Sequence, residues 1–81
     1  MADAASRTAK RRIGDALRIA MCDRRCQLGL TQAQLAALLR CHPSLIAHFE
    51  GGDRLPSLVN LCRLADAQAV STDYLLGRED V

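Results

Sequence analysis

Residues 28–39 read LGLTQAQLAALL and residues 45–52 read LIAHFEGG. The first stretch shows the chemistry of a helix start. Thr31 followed by Gln34 is a capping box: the hydroxyl accepts from one unpaired backbone N–H, and the amide side chain reaches back to another. Leu30 and Leu35 have the spacing of the hydrophobic staple around such a cap. Leu35, Ala36, Leu38 and Leu39 then supply an apolar side. This helix must stop by Cys41, because His42 precedes Pro43 and is steered away from α geometry. Pro43 suits the first position of the next helix, where no N–H is missed. Ile46 and Phe49 give that helix its apolar face, and Gly51-Gly52 end it.

Working outward, the same punctuation repeats. Upstream, Ile13, Leu17, Met21 and Leu28 recur at helical spacing and predict a first helix from about Thr8 to Leu28, closed by a left-handed Gly29. Downstream, Pro56-Ser57 opens a fourth helix with Leu58, Leu61, Cys62, Leu64 and Ala65 apolar. Ser71 caps a fifth, Thr72–Leu76, which Gly77 closes. No stretch alternates with period two, and no repeat or low-complexity run is present. Two helices joined by a turn of about three residues, the second of them short, make a helix-turn-helix motif at about 32–51. The expected fold is all-α: a compact five-helix domain over 7–77, with tails at 1–6 and 78–81.

Composition bounds what such a domain can do. At 81 residues the chain is one domain with a thin core, burying only about 60% of its unfolded surface. Hydrophobic residues at 49% and charged residues at 25% describe a globular domain, not a disordered one. With one Tyr, one Phe and no Trp, the core must be aliphatic, and base-stacking platforms for single strands are excluded. No run is long enough to span a membrane, and the first residues lack the apolar stretch of a signal peptide. Charge is uneven. Residues 1–40 hold eight basic and three acidic side chains, and residues 41–81 hold three and six. The split suits a polyanion on one face, and it also suits ordinary solvated surface. Cys22, Cys26, Cys41 and Cys62 read as reduced thiols in a cytosolic context. Zinc would need Cys41, Cys62 or His42 to converge on Cys22 and Cys26, and no metal or cofactor is expected.

The order and spacing of LGLTQAQLAALL (28–39), LIAHFEGG (45–52), PSLVNLCRLADA (56–67) and VSTDYLLG (70–77) resemble the Cro and lambda-repressor-like helix-turn-helix domains, the XRE family. The resemblance covers about residues 13–77 and implies a five-helix DNA-binding domain. It implies that Gln32 binds a backbone phosphate at the start of the second helix. It implies that helix 43–50 enters the major groove with Pro43, Ser44, Ala47 and His48 facing base edges. Gly52 and Arg54 match the loop that lies along the phosphates. Arg25 and Glu50 match a structural pair that orients the recognition helix.

Departures from the family pattern shape the expectation. Arg40 replaces the usual turn glycine; a left-handed backbone there would cost roughly 1 kcal/mol and set a guanidinium near the phosphates. His42 stands where a better Ser or Thr cap is usual. The reading face has no Arg, Asn or Gln for bidentate base contacts. Ser44 and His48 offer one hydrogen bond each, and Pro43 and Ala47 suit thymine methyls. Asp53 stands where a basic residue is common. Arg7, Lys10, Arg11 and Arg12 could compensate, with Arg11 and Arg12 as phosphate contacts, or be a solvated basic tail.

Two dimer surfaces suggest themselves. Ile19, Cys22 and Cys26 lie opposite the Leu17/Met21/Leu28 face and form an outward apolar strip unless the last helix or the tail covers it. Tyr74, Leu75 and Leu76 are the other candidate. The reading expected is a cytoplasmic, nucleoid-associated prokaryotic or phage transcriptional regulator, a repressor, bound as a weak homodimer to a palindromic double-stranded DNA operator. A protein-interaction module on the same fold and a thiol- or metal-responsive regulator working through Cys22 and Cys26 are the alternatives. No nucleophile with its base, no carboxylate pair and no phosphate-cradling loop points to an enzyme.

Overall fold

The computed structural model describes residues 3–78, with side chains from residue 5 onward. Five helices and no strand occur among the described residues: α1 Asp3–Gln27, α2 Gln32–Leu39, α3 Pro43–Gly51, α4 Leu58–Gln68 and α5 Thr72–Leu75. This is the expected all-α order. The first boundary differs. α1 begins at Asp3, so residues 3–6 belong to the helix and not to a tail. The alanine-rich start has high helix propensity, and nothing between Asp3 and Thr8 breaks it. Residues 1–2 and 79–81 of the expected tails lie outside the described residues.

One core joins all five helices. Leu17 and Met21 of α1, Leu35, Ala36 and Leu39 of α2, Ile46 and Phe49 of α3, Leu64 and Ala65 of α4 and Leu75 of α5 are buried together. As expected, it is aliphatic apart from Phe49. Several residues expected inside are outside: Ile13, Leu28, Leu38, Leu58 and Cys62 are all exposed. Ile13 lies on the N-terminal half of α1, where every side chain from Ala5 to Ile13 is exposed. Leu38 sits roughly 100° around α2 from the centre of its Leu35/Ala36/Leu39 stripe. Leu58 is 82% exposed at the first position of α4, ahead of the turns that bury Leu64, Ala65 and Gln68.

Helix ends define the turns. Gly29 closes α1 at φ 70° with Gly29 and Leu30 donating back to Cys26 and Arg25, which is a Schellman motif. α2 and α4 close in the same way with non-glycine residues, Arg40 at φ 54° and Ala69 at φ 56°. Gly77 closes α5 at φ 70°, and a Cβ there would lie 3.0 Å from Ala16 Cβ. A side chain at Gly77 would therefore crowd α1.

Polar side chains tie the helices across the core. The Arg24 guanidinium donates to the Gln68 carbonyl at the end of α4, 2.8 Å away. Gln68 is fully buried; its Nε2 donates to the Met21 carbonyl at 2.9 Å, while its Oε1 has no partner. Arg63 of α4 donates to the Leu39 carbonyl and so satisfies the C-terminal end of α2.

Candidate nucleic-acid interface

α3 is the shortest route from sequence to site. Pro43 stands in its first turn, and His42 is its N-cap in extended geometry, with Nδ1 accepting from the Ser44 N–H at 3.1 Å. The ring nitrogen thus takes the role of the Ser or Thr oxygen that the sequence lacks. Ser44 Oγ lies 2.9 Å from the same Nδ1. Ile46 and Phe49 are buried, so Pro43, Ser44 and Ala47 are left exposed on the other side, with His48 half-buried beside them. These are the four residues expected to face bases, and they share one outward surface. His48 Nδ1 is 2.8 Å from Asp53 Oδ2 in the loop after α3. The His48 hydrogen bond holds the Asp53 carboxyl below its usual range, with smaller help from a backbone bond and from the Arg54 charge.

Behind α3 lies a dense buried network. Arg25 of α1 grips Glu50 bidentately, Nε to Oε2 at 2.7 Å and Nη2 to Oε1 at 3.0 Å. Its third nitrogen donates to the Leu30 carbonyl at 2.8 Å. Gln32 at the start of α2 donates to Glu50 Oε1 at 3.0 Å. The two charged side chains are only 14% and 8% exposed. Burial alone would raise the Glu50 carboxyl; hydrogen bonds from Arg25 and Gln32 and the Arg25 charge outweigh it and hold it below the ordinary value. The Glu50 hydrogen bond raises Arg25 despite burial. Cys22 Sγ lies 3.8 Å from Arg25 Nη2, and burial, then the Glu50 charge, pushes its thiol up. The expected Arg25–Glu50 pair therefore joins α1 to α3, and Gln32 adds α2.

The phosphate-side residues divide. Arg40 and Arg54 are exposed, Arg40 on the turn before α3 and Arg54 in the loop after it. Arg54 lines an open groove with Arg7, Lys10 and Arg11 of α1, which places the N-terminal basic run beside the loop. Arg12 is on a different side of α1, against Leu76, Gly77 and Arg78. The Gln32 side-chain amide is turned inward to Glu50. The Gly52 N–H is spent on the His48 and Phe49 carbonyls, at 3.1 and 3.3 Å. Gly52 contributes shape: its φ is 84°, and a Cβ would lie 3.2 Å from Arg18 Cδ.

The two candidate dimer surfaces also divide. Leu75 is fully buried in its own chain and so is corrected as an interface residue; Tyr74 and Leu76 are half-buried. On α1, Ile19 is 53% exposed, Cys26 is exposed and Cys22 is half-buried. The strip is thus open at Ile19 and Cys26 and partly covered at Cys22, beside Arg25. All four cysteines are free thiols, and no group of three or more potential metal ligands converges among the described residues. No helix is long and apolar enough to cross a membrane among the described residues. His42 caps α3 as its position implies, and Asp53 as partner of His48 is the contact that the sequence reading missed; the five-residue spacing of the two across Gly52 is the signal for it.

Residues 23–75 match the helix-turn-helix family. The chain is similar to the cryptic phage CTXphi transcriptional repressor RstR of Vibrio cholerae serotype O1, with 34% identity over 58 residues, covering 72% of this chain and 52% of that protein. The chain thus spans about half the length of this curated relative. No solved structure matches it. With the motif, the Arg25–Glu50 brace and the matched span in agreement, the chain belongs to the XRE-type helix-turn-helix family.

Proposed function

We propose that this chain is a double-stranded DNA-binding transcriptional regulator, a repressor, that lays α3 in the major groove. One observation carries the reading: Pro43, Ser44 and Ala47 stand exposed on a helix whose opposite side is locked to α1 and α2 through Arg25, Glu50 and Gln32. A helix clamped from behind and bare in front is what groove insertion needs. Arg40 and Arg54 flank that face, and Arg7, Lys10 and Arg11 extend the cationic track beyond Arg54. Phosphate contacts from these residues supply most of the affinity, and the few polar groups of α3 supply readout. The chain works as a weak homodimer on half-sites about one helical turn apart, using the exposed Ile19/Cys26 strip of α1. It acts in the cytoplasm, on the nucleoid, and without catalysis. The likeness to a phage repressor supports the regulatory role.

Titration of random duplex DNA across salt concentrations tests this. A log–log slope corresponding to several phosphates is expected, and Arg54→Ala lowers its magnitude by about one. Absence of duplex binding at low salt refutes the proposal and leaves the fold as a protein-interaction module.

A further inference from the structure

The hydrogen bonds around α3 fix where its side-chain protons are, and so which base edges it accepts. His42 Nδ1 receives the Ser44 backbone N–H at 3.1 Å. A backbone N–H only donates, so Nδ1 of His42 carries the lone pair and the ring proton is on Nε2. The Ser44 hydroxyl, 2.9 Å from that same lone pair, must then be its donor. The Ser44 proton is spent inside the helix start, and its oxygen faces outward with lone pairs only. His48 is the reverse case. Its Nδ1 is 2.8 Å from the Asp53 carboxylate, which only accepts, so Nδ1 carries the proton. In the neutral ring this leaves Nε2 of His48 as a lone pair, with no partner among the described residues.

We infer that α3 presents hydrogen-bond acceptors, Ser44 Oγ and His48 Nε2, to the major groove, and that it selects the exocyclic amino groups of adenine and cytosine. Those are the donor groups of the major-groove edge; guanine offers O6 and N7 and thymine offers O4, all lone pairs that an acceptor face repels. Pro43 and Ala47, exposed beside them, suit the thymine methyl that an adenine's own base pair supplies. The joint preference is for A·T pairs at the contacted positions. Asp53 is a positioning residue here. It weakens attraction to phosphate and in exchange holds His48 in the tautomer that accepts. The held-down carboxyl of Asp53 is consistent with a group that stays ionised in this role.

This inference rests on the DNA-binding reading, and two measurements separate their failures. In the free 81-residue chain at neutral pH, long-range proton–nitrogen correlation spectra read the imidazole nitrogens directly. The expected result is protonated Nδ1 and bare Nε2 in His48, with the opposite arrangement in His42. A proton on Nε2 of His48, in either the other tautomer or the imidazolium, overturns the inference. Selection from a random duplex pool then compares wild type, His48→Ala and Asp53→Ala. Wild type should favour adenine or cytosine over guanine roughly tenfold at the position that His48→Ala randomises, and Asp53→Ala should reduce this to about twofold while tightening binding overall. An unchanged preference in Asp53→Ala sinks the inference and leaves the regulator standing. Duplex binding with no selected sequence also sinks it, and no duplex binding at all removes both.

Discussion

Two side-chain pairs flank α3, and they differ in almost every physical respect. Arg25–Glu50 is bidentate, joined by Gln32, and nearly closed to solvent at 14% and 8% exposure. His48–Asp53 is a single contact with 40% and 62% exposure. The first spans 25 residues of sequence and joins three helices, and the second bridges five residues across one turn. A buried pair whose hydrogen bonds are all satisfied fixes geometry, because losing either partner strands the other's charge. An exposed pair contributes little to stability and is free to serve in recognition. The same helix thus separates what holds it from what it offers.

Removing the brace is expected to have the largest effect. Arg25→Ala leaves Glu50 without its counter-charge and should destabilise the fold by about 3 kcal/mol, read by chemical denaturation. A loss near zero would put the two pairs in the same class. The carboxyl also predicts a pH signature. Its folded-state pKa lies below the unfolded value, so its contribution is complete above the unfolded glutamate pKa of about 4.3 and disappears as pH falls through the lower folded value. Glu50→Gln should be less stable than wild type at neutral pH and should show a flatter decline in denaturation midpoint as pH falls below the unfolded glutamate pKa of about 4.3. Parallel acid limbs would assign the decline to other carboxylates.

Gln68 separates burial from satisfaction. It is more deeply buried than the brace, yet its Oε1 is unpaired. Gln68→Leu removes that unmet acceptor at similar volume, at the expense of one hydrogen bond to a helix carbonyl, and should stabilise by about 1 kcal/mol. A destabilised variant would mean that the Met21 contact matters more than the missing partner. The smallest effect comes from the two left-handed residues. Ala69→Gly and Arg40→Gly each relieve a strained backbone, partly offset by a freer unfolded chain, for a gain of about 0.5 kcal/mol. Only Arg40→Gly should also weaken duplex binding, which a titration of both variants at fixed salt would reveal.

Much of this was readable from residues alone. The Thr31/Gln34 capping box is present with both of its bonds, at 3.0 and 2.8 Å, because it depends on four adjacent residues. Pro43 at the start of α3 and Gly29 and Gly77 after their helices fall where local sterics put them. The Arg25–Glu50 pair came from the family resemblance, since nothing local links residues so far apart. What stayed hidden depends on the assembled backbone. Gln68 reads as an ordinary polar helix residue until α1 and α4 close over it. Gln32 looked free for a phosphate until α3 brought Glu50 within 3.0 Å. The start of α1 carries no stop signal, so spacing of apolar residues placed it too late.

Arg25 from α1 and Arg63 from α4 seize the motif from opposite sides, one through Glu50 and the other through the Leu39 carbonyl. A reader clamped twice before it meets a ligand has little left to order on arrival. Its association should therefore show a small negative heat-capacity change, matching only the surface covered, without the larger excess that accompanies folding on binding.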